Sequence, residues 1–353
     1  MAGPDDLSSP VFDSPSAAAG KAAAGAALTA KAAQLRKRRR RKIALLVLLA
    51  AIIAYLIYRL LTGGSSLPGI SEQLPHYDAS IYGVAKPMGV AVSPDGDRVY
   101  VTESGGRRLV RVYDRSGDQV DALKPRGHRG KWRLPVYVAV DPQTGNVYVS
   151  DRLREDVEVY DENGKHLRAF KPRGRLGRGA NPLGLAFGPE DDLYMTDVNG
   201  GRRSHRVLVF GDGEKPQRKI GARGALWFPN GLALNSSGDL YVADSNDGRL
   251  TIFDAKGKPA ASIQRGVGEG DLGLPRGVAI HGDKLYVVDT TAQAVKVYDI
   301  GKGVEEVPSY VGSFGVEGFA DGAFEYPNGI AIDGDGRIYV TDRENNRVQV
   351  WTY

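Results

Sequence analysis

A hexapeptide pattern recurs six times between Pro87 and Ile332, and no other feature restricts the fold as much. Pro87-Met-Gly-Val-Ala-Val92 returns as Pro135-Val-Tyr-Val-Ala-Val140, Pro182-Leu-Gly-Leu-Ala-Phe187, Pro229-Asn-Gly-Leu-Ala-Leu234, Pro275-Arg-Gly-Val-Ala-Ile280 and Pro327-Asn-Gly-Ile-Ala-Ile332, at spacings of 48, 47, 47, 46 and 52 residues. Each copy leads through a turn into a second run: Val99-Tyr-Val-Thr-Glu103, Val147-Tyr-Val-Ser-Asp151, Leu193-Tyr-Met-Thr-Asp197, Leu240-Tyr-Val-Ala-Asp244, Leu285-Tyr-Val-Val-Asp289 and Ile338-Tyr-Val-Thr-Asp342. A third alternating run follows, as in Val110-Arg-Val-Tyr-Asp114 and Val348-Gln-Val-Trp351. Short β-branched and aromatic runs bounded by Asp-Gly and other Gly-rich turns are antiparallel strands. Three clear strands and a weaker fourth, repeated six times, predict an all-β, six-bladed β-propeller over residues 75–353.

The sixth blade has only three strands at the C-terminal end, so its fourth must come from elsewhere. Ala79-Ser-Ile-Tyr-Gly83 resembles Tyr310-Val-Gly-Ser-Phe314, the fourth strand of blade 5, and is expected to close the ring. The chain then enters on the face of the Asp95-Gly96 and Thr144-Gly145 turns. The Pro-x-Gly residues, and the loops joining second to third strands, lie on the opposite face. The Pro-x-Gly-hydrophobic-Ala, Leu-Tyr-Val-x-Asp and Asn-x-Arg-Val patterns resemble NHL repeats across about residues 81–353. Repeat 2 departs with Tyr137 where Gly is usual, and repeat 5 lacks the Arg of Asp342-Arg-Glu-Asn-Asn-Arg347.

The formal net charge of +5 and the pI of about 9.1 invite a nucleic-acid reading until the charge is located. Residues 1–42 hold nine basic residues against Asp5, Asp6 and Asp13, and the run Arg36 to Lys42 supplies seven of the nine. Ile43 to Tyr58 is uncharged and apolar or aromatic, and Arg59, Leu60 and Leu61 extend it. Residues 43–61 would reach about 28 Å as a helix, close to the thickness of a bilayer core. The sequence therefore predicts a disordered Ala/Gly-rich cytoplasmic tail over 1–42, a single transmembrane helix over 43–61 and a flexible linker over 62–74. Positive residues stay inside, so the propeller is expected outside the cell membrane. A nucleic-acid partner is disfavoured, because a span beginning directly after the basic run explains it as a topology signal.

Zero cysteine excludes disulfides, thiol nucleophiles and Cys-ligated metals. The five histidines fall at unequal repeat positions, and Gly-x-Ser-x-Gly, P-loop and HExxH motifs are absent. No metal and no cofactor are expected. The acids ending the second runs, Glu103, Asp151, Asp197, Asp244, Asp289 and Asp342, read as turn residues that accept backbone N–H groups or pair with a loop Arg. The repeated Tyr beside them reads as packing between blades. The middle residues of Pro-x-Gly, in order Met88, Val136, Leu183, Asn230, Arg276 and Asn328, should line the channel mouth. There Asn230, Arg276 and Asn328 could hold a carboxylate or phosphate, or merely order channel water.

Pro-Asn-Gly-Leu-Ala also resembles the matching motif of SMP-30/gluconolactonase propellers. That resemblance implies a metal on channel Glu, Asn and Asp side chains, and here no carboxylate occupies the six slots. A peptidylglycine-lyase-like propeller would need a His-ligated zinc. Residues 86–223 carry 26 Lys+Arg against 19 Asp+Glu, whereas residues 224–353 carry 11 against 18. The basic half concentrates in loops of the Pro-x-Gly face: Arg107, Arg108, Lys124, Arg126, Arg129, Lys131, Arg133, Lys171, Arg173, Arg175, Arg178, Arg202, Arg203 and Arg206, with Trp132 inside one run. The sequence thus predicts a membrane-anchored binding or scaffold module for a protein or anionic envelope ligand. A propeller hydrolase or lyase acting at the channel mouth is the alternative.

Overall fold

The computed structural model describes residues 74–353, apart from 126–132, 212, 222 and 302, together with Leu45, Val47 and Leu49. The chain divides into two units, Met1–Glu72 and Gln73–Tyr353. The predicted tail, span and linker lie outside the described residues except for Leu74 and for Leu45, Val47 and Leu49, which are helical and exposed. Among the described residues no helix is long and apolar enough to cross a membrane.

The second unit is a six-bladed β-propeller in which every blade is a four-stranded antiparallel sheet. Blade 1 comprises Pro87–Val92, Arg98–Glu103, Val110–Asp114 and Gln119–Leu123. Blade 2 is Pro135–Val140, Val147–Asp151, Asp156–Tyr160 and His166–Phe170; blade 3 is Pro182–Phe187, Leu193–Asp197, Arg206–Phe210 and Arg218–Ile220. Blade 4 runs through Pro229–Leu234, Leu240–Asp244, Arg249–Phe253 and Pro259–Ile263, and blade 5 through Pro275–His281, Lys284–Asp289, Ala294–Asp299 and Ser309–Phe314. Blade 6 takes Pro327–Ile332, Ile338–Asp342 and Arg347–Thr352 from the C-terminal end, and His76–Ile81 completes it.

That closing strand pairs antiparallel with Arg347–Thr352, from His76 opposite Thr352 to Ile81 opposite Val348. It begins at His76, ahead of the expected Ala79. Leu74, assigned to the linker from sequence, packs on the apolar cluster between blades 5 and 6. Gly312 leaves the room for it, since a β-carbon there would meet Leu74 Cδ1 at 2.7 Å. The pairing direction makes the chain climb toward the Pro-x-Gly face, as expected.

Alternation in the strands puts the apolar residues between blades. One cluster joins Tyr241, Leu250 and Ile252 of blade 4 to Leu285, Val287 and Tyr298 of blade 5. Another joins Tyr100 and Val110 of blade 1 to Val147 and Val149 of blade 2. The repeated tyrosines Tyr100, Tyr241, Tyr286 and Tyr339 are buried in such layers.

Around the axis the first strands touch backbone to backbone. A β-carbon on Gly184 would stand 2.2 Å from the Asn230 carbonyl oxygen, and one on Gly231 would stand 2.5 Å from that of Arg276. Side-chain hydroxyls clasp the same contacts. Thr102 donates to the Val136 carbonyl at 2.9 Å, Ser150 to Leu183 at 2.6 Å, Thr196 to Asn230 at 2.9 Å and Thr341 to Met88 at 3.0 Å. Blades 4 and 5 carry Ala243 and Val288 at this position, and Ser245 and Thr290 donate instead, to Pro275 at 2.5 Å and Pro327 at 2.7 Å.

Gly184→Ala is therefore expected to destabilise the propeller by about 3 kcal/mol, the upper range for overpacking. Gly201→Ala, in open space, should stay within about 0.5 kcal/mol of the native chain. Denaturant unfolding of the two variants checks this; equal stabilities would contradict the close blade contact.

Candidate functional site

The carboxylates that close the second strands are consumed by structure. Glu103 accepts from the Ala85 N–H and from Arg111 Nε at 2.9 Å. Asp151 accepts the N–H groups of Leu134, Leu153 and Arg154. Asp197 takes the Asn181 N–H and Arg206 Nε, and Asp244 takes the Trp227 N–H and Arg249 Nε. Asp289 binds the N–H groups of Gly273 and Leu274; Asp342 binds that of Glu325 and Arg347 Nε. Each acid staples the loop entering its own blade to the loop or the third strand that follows the second strand. Among the described residues no three His, Asp or Glu side chains are grouped to hold a metal ion.

The middle residues of Pro-x-Gly do come together at the channel mouth, but they are unequally open. Asn230 and Asn328 are buried, at 1 % and 5 % exposure, as are Val136 and Leu183, while Arg276 and Met88 reach solvent in part. Asn230 Oδ1 accepts from Arg276 Nη1 at 3.4 Å, and its Nδ2 donates to Ser245 Oγ at 2.6 Å. The Tyr137 hydroxyl donates to Asn328 Oδ1 at 3.4 Å, so the ring of blade 2 lies across the channel toward blade 6. Below it a cavity of about 60 Å³ is lined by Val90, Leu185, Leu232, Val278 and Ile330. Burial pushes the Tyr137 phenol well above the usual tyrosine range, so it stays a neutral donor.

Two further residues complete the mouth. Phe228 precedes Pro229 with φ of 63°, a strained setting for a bulky residue, and it packs against the cluster of Val136, Tyr137, Leu183 and Val198. Its N–H donates to His205 Nδ1 at 2.8 Å, and the two rings meet edge to face. The Arg152 guanidinium lies over the Phe228 ring, 4.9 Å from its centroid. Burial, and then the positive charge of Arg276, hold Arg152 below the usual arginine value. Sequence reasoning missed Arg152 and Phe228. The signal was available: Arg152 directly follows the Asp151 that ends a second strand, and Phe228 directly precedes a Pro-x-Gly.

The predicted basic face needs one clear correction. Arg133 is 2 % exposed, with Nε 3.9 Å from Asp151 Oδ2, and is not part of a surface. The buried acid draws the cation inward, which counting charges along a loop cannot reveal. Arg206 is bound to Asp197, Arg202 to Asp247 at 2.9 Å and Arg173 to Glu214 at 3.5 Å, and Arg108 donates to the Arg133 carbonyl. Arg202 also stacks on Trp227. Arg107, Lys124, Lys171, Arg175, Arg178 and Arg203 are solvent-facing, and among the described residues none of them forms an ion pair. Arg126, Arg129, Lys131 and Trp132 lie outside the described residues.

Residues 226–253 and 324–351 match the NHL repeat family model. The chain carries NHL repeats. Its NHL propeller is similar in fold to a chain of the nidogen/laminin complex, with 21 % identity and a TM-score of 0.52, over 64 % of this chain and 79 % of that one. It is also similar to streptogramin B lyase, with 14 % identity and a TM-score of 0.53, over 78 % and 96 % of the two chains. These likenesses concern the fold.

His205 supplies a pH test of the mouth. As an acceptor through Nδ1 it must be neutral there, and burial pushes its value below the ordinary one of about 6.5. A folded value that is lowered means the unfolded chain binds the proton first. Its contribution is complete above about pH 6.5 and is lost as pH falls through the window down to the folded value. His205→Phe leaves the Phe228 N–H unpaired and should cost about 1–3 kcal/mol at pH 7.5. The gap between native and variant should narrow at pH 5; a gap independent of pH would refute the neutral-acceptor assignment.

Proposed function

We propose that this protein is a membrane-anchored binding module whose NHL propeller presents its Pro-x-Gly face, outside the cell membrane, to an acidic protein or an anionic envelope polymer. One observation carries the reading. Arg107, Lys124, Lys171, Arg175, Arg178 and Arg203 lie in loops of that face on blades 1 to 3, exposed and without an ion pair among the described residues. Glu269, Glu317, Asp321 and Glu325 stand exposed in loops of blades 4 to 6 on the same face. A face divided this way orients a charged partner and speeds its encounter. A propeller of this fold takes part in the nidogen/laminin complex, which is in keeping with a protein partner. The chain enters the propeller on the opposite face.

Reversing Lys171, Arg175 and Arg178 to Glu should move elution of the full chain from an immobilised poly-glutamate matrix to clearly lower salt. Reversing Lys165, Lys256 and Lys258, exposed in turns of the opposite face, should leave it unchanged. Equal shifts for both sets would remove the face-specific reading. The anchor is tested separately: a tag on the N-terminus should resist protease in sealed right-side-out vesicles, and its digestion would reverse the assigned topology.

A further inference from the structure

The arginines of this face that are partly or fully withdrawn from water each have an acid or a carbonyl beside them, with two exceptions, although the buried Arg133 guanidinium makes no hydrogen bond among the described residues. Arg111 pairs with Glu103, Arg206 with Asp197, Arg249 with Asp244 and Arg347 with Asp342, all at 2.8–3.0 Å. Arg154 lies on Glu158 and Asp156, Arg343 on Glu344 and Arg133 near Asp151, while Arg108 donates to a carbonyl at 3.1 Å. Arg152 and Arg276 have no acid among the described residues, and residues 126–132 contain no carboxylate to supply one. Among the described residues Arg276 is held by a single long contact to Asn230, and its Nε is buried without a partner. Arg152 has the Phe228 ring beneath it and, among the described residues, no hydrogen bond to its side chain.

Both half-buried cations stand at the same mouth. Leaving two like charges partly desolvated costs free energy that an incoming anion would recover. Around them are a phenol, two amides already engaged in hydrogen bonds, and the partly exposed apolar surfaces of Phe228 and Met88. We propose that Arg152 and Arg276 are the two jaws of a site for one carboxylate, carried on an apolar or aromatic body that lies against Phe228 and Met88. A planar carboxylate matches the guanidinium fork in two parallel hydrogen bonds. The apolar wall selects an organic acid over inorganic phosphate. The Tyr137 ring across the channel limits access to the outer mouth, so the site takes one end of a ligand and not a threaded chain.

The site is distinct from the exposed cations of the rim, so the two readings fail separately. Calorimetric titration of the purified full-length chain with benzoate, acetate and inorganic phosphate tests it. Saturable benzoate binding, tighter than acetate or phosphate, is expected. It should weaken at least tenfold in Arg152→Gln and in Arg276→Gln, and remain in the Lys165, Lys256 and Lys258 reversal. Circular dichroism confirms that each variant is folded, and Arg276→Lys, which keeps the charge but not the fork, should bind with intermediate affinity. No saturable heat overturns the proposal, as does unchanged binding in both glutamine variants. Phosphate binding as tightly as benzoate, and lost in the same variants, would overturn the carboxylate assignment.

Discussion

Backbone contact between neighbouring first strands is the constraint on which this molecule depends. Five of the six Pro-x-Gly motifs keep glycine because the adjacent blade's backbone occupies the space of a β-carbon. The clasping hydroxyls act in two directions in four blades. Thr102, for example, accepts from the Gly89 N–H at 2.8 Å and donates to Val136 of the next blade. Strand ends that would otherwise bury unpaired polar groups thereby find partners across the blade boundary. Tyrosine takes the glycine position once, and Tyr137 turns its ring into the channel. The channel is consequently a packed axis with an accessible rim.

The loops of the Pro-x-Gly face owe their shape to the repeated carboxylates. A buried carboxylate is costly unless donors surround it, and here each acid collects N–H groups from the loops around it. Asp244 shows the balance. Burial raises its value above the ordinary carboxylate range, even though the Trp227 N–H and Arg249 oppose that shift. Desolvation outweighs the donors there. Four of the six acids also recruit the first or second residue of the third strand as a guanidinium: Arg111, Arg206, Arg249 and Arg347. Against that pattern, a half-buried arginine with no acid is a departure that carries meaning.

Much of the architecture was legible in the sequence because it depends on local patterns repeated six times. Strand alternation, turn chemistry, the inward tyrosines and the structural duty of Asp151 or Asp342 all follow from one repeat and are checked by the other five. Closure was legible from the likeness of residues 79–83 to blade 5, although the paired strand starts at His76, since edge pairing continues as far as backbone partners allow. The site was less legible, because it is made where repeats differ. Asn230, Arg276 and Asn328 belong at the mouth by position alone, but the Tyr137 ring comes from a departure at a single repeat, and Phe228 from the position ahead of Pro-x-Gly, which varies from blade to blade. Arg133 looks like a surface residue in a basic loop, and only its proximity to Asp151 reveals it as buried. Charge counted along a loop reports composition, whereas burial depends on which neighbouring segment lies opposite.

The cations of the Pro-x-Gly face belong to two energetic classes, and this decides what each can contribute to binding. Those on the rim are hydrated, and salt at physiological strength screens them beyond about 8 Å. An exposed ion pair formed there is worth about 0–1 kcal/mol, so the rim governs encounter and orientation more than affinity. Arg152 and Arg276 have already lost part of their hydration, one against an aromatic ring and the other with a buried Nε. Charge-assisted hydrogen bonds to such groups are the stronger kind, and a misfitting anion leaves them desolvated and unpaired. Discrimination between ligands therefore resides at the mouth, with attraction on the rim, and the blade contacts that fix Phe228 and Tyr137 fix the geometry of that discrimination.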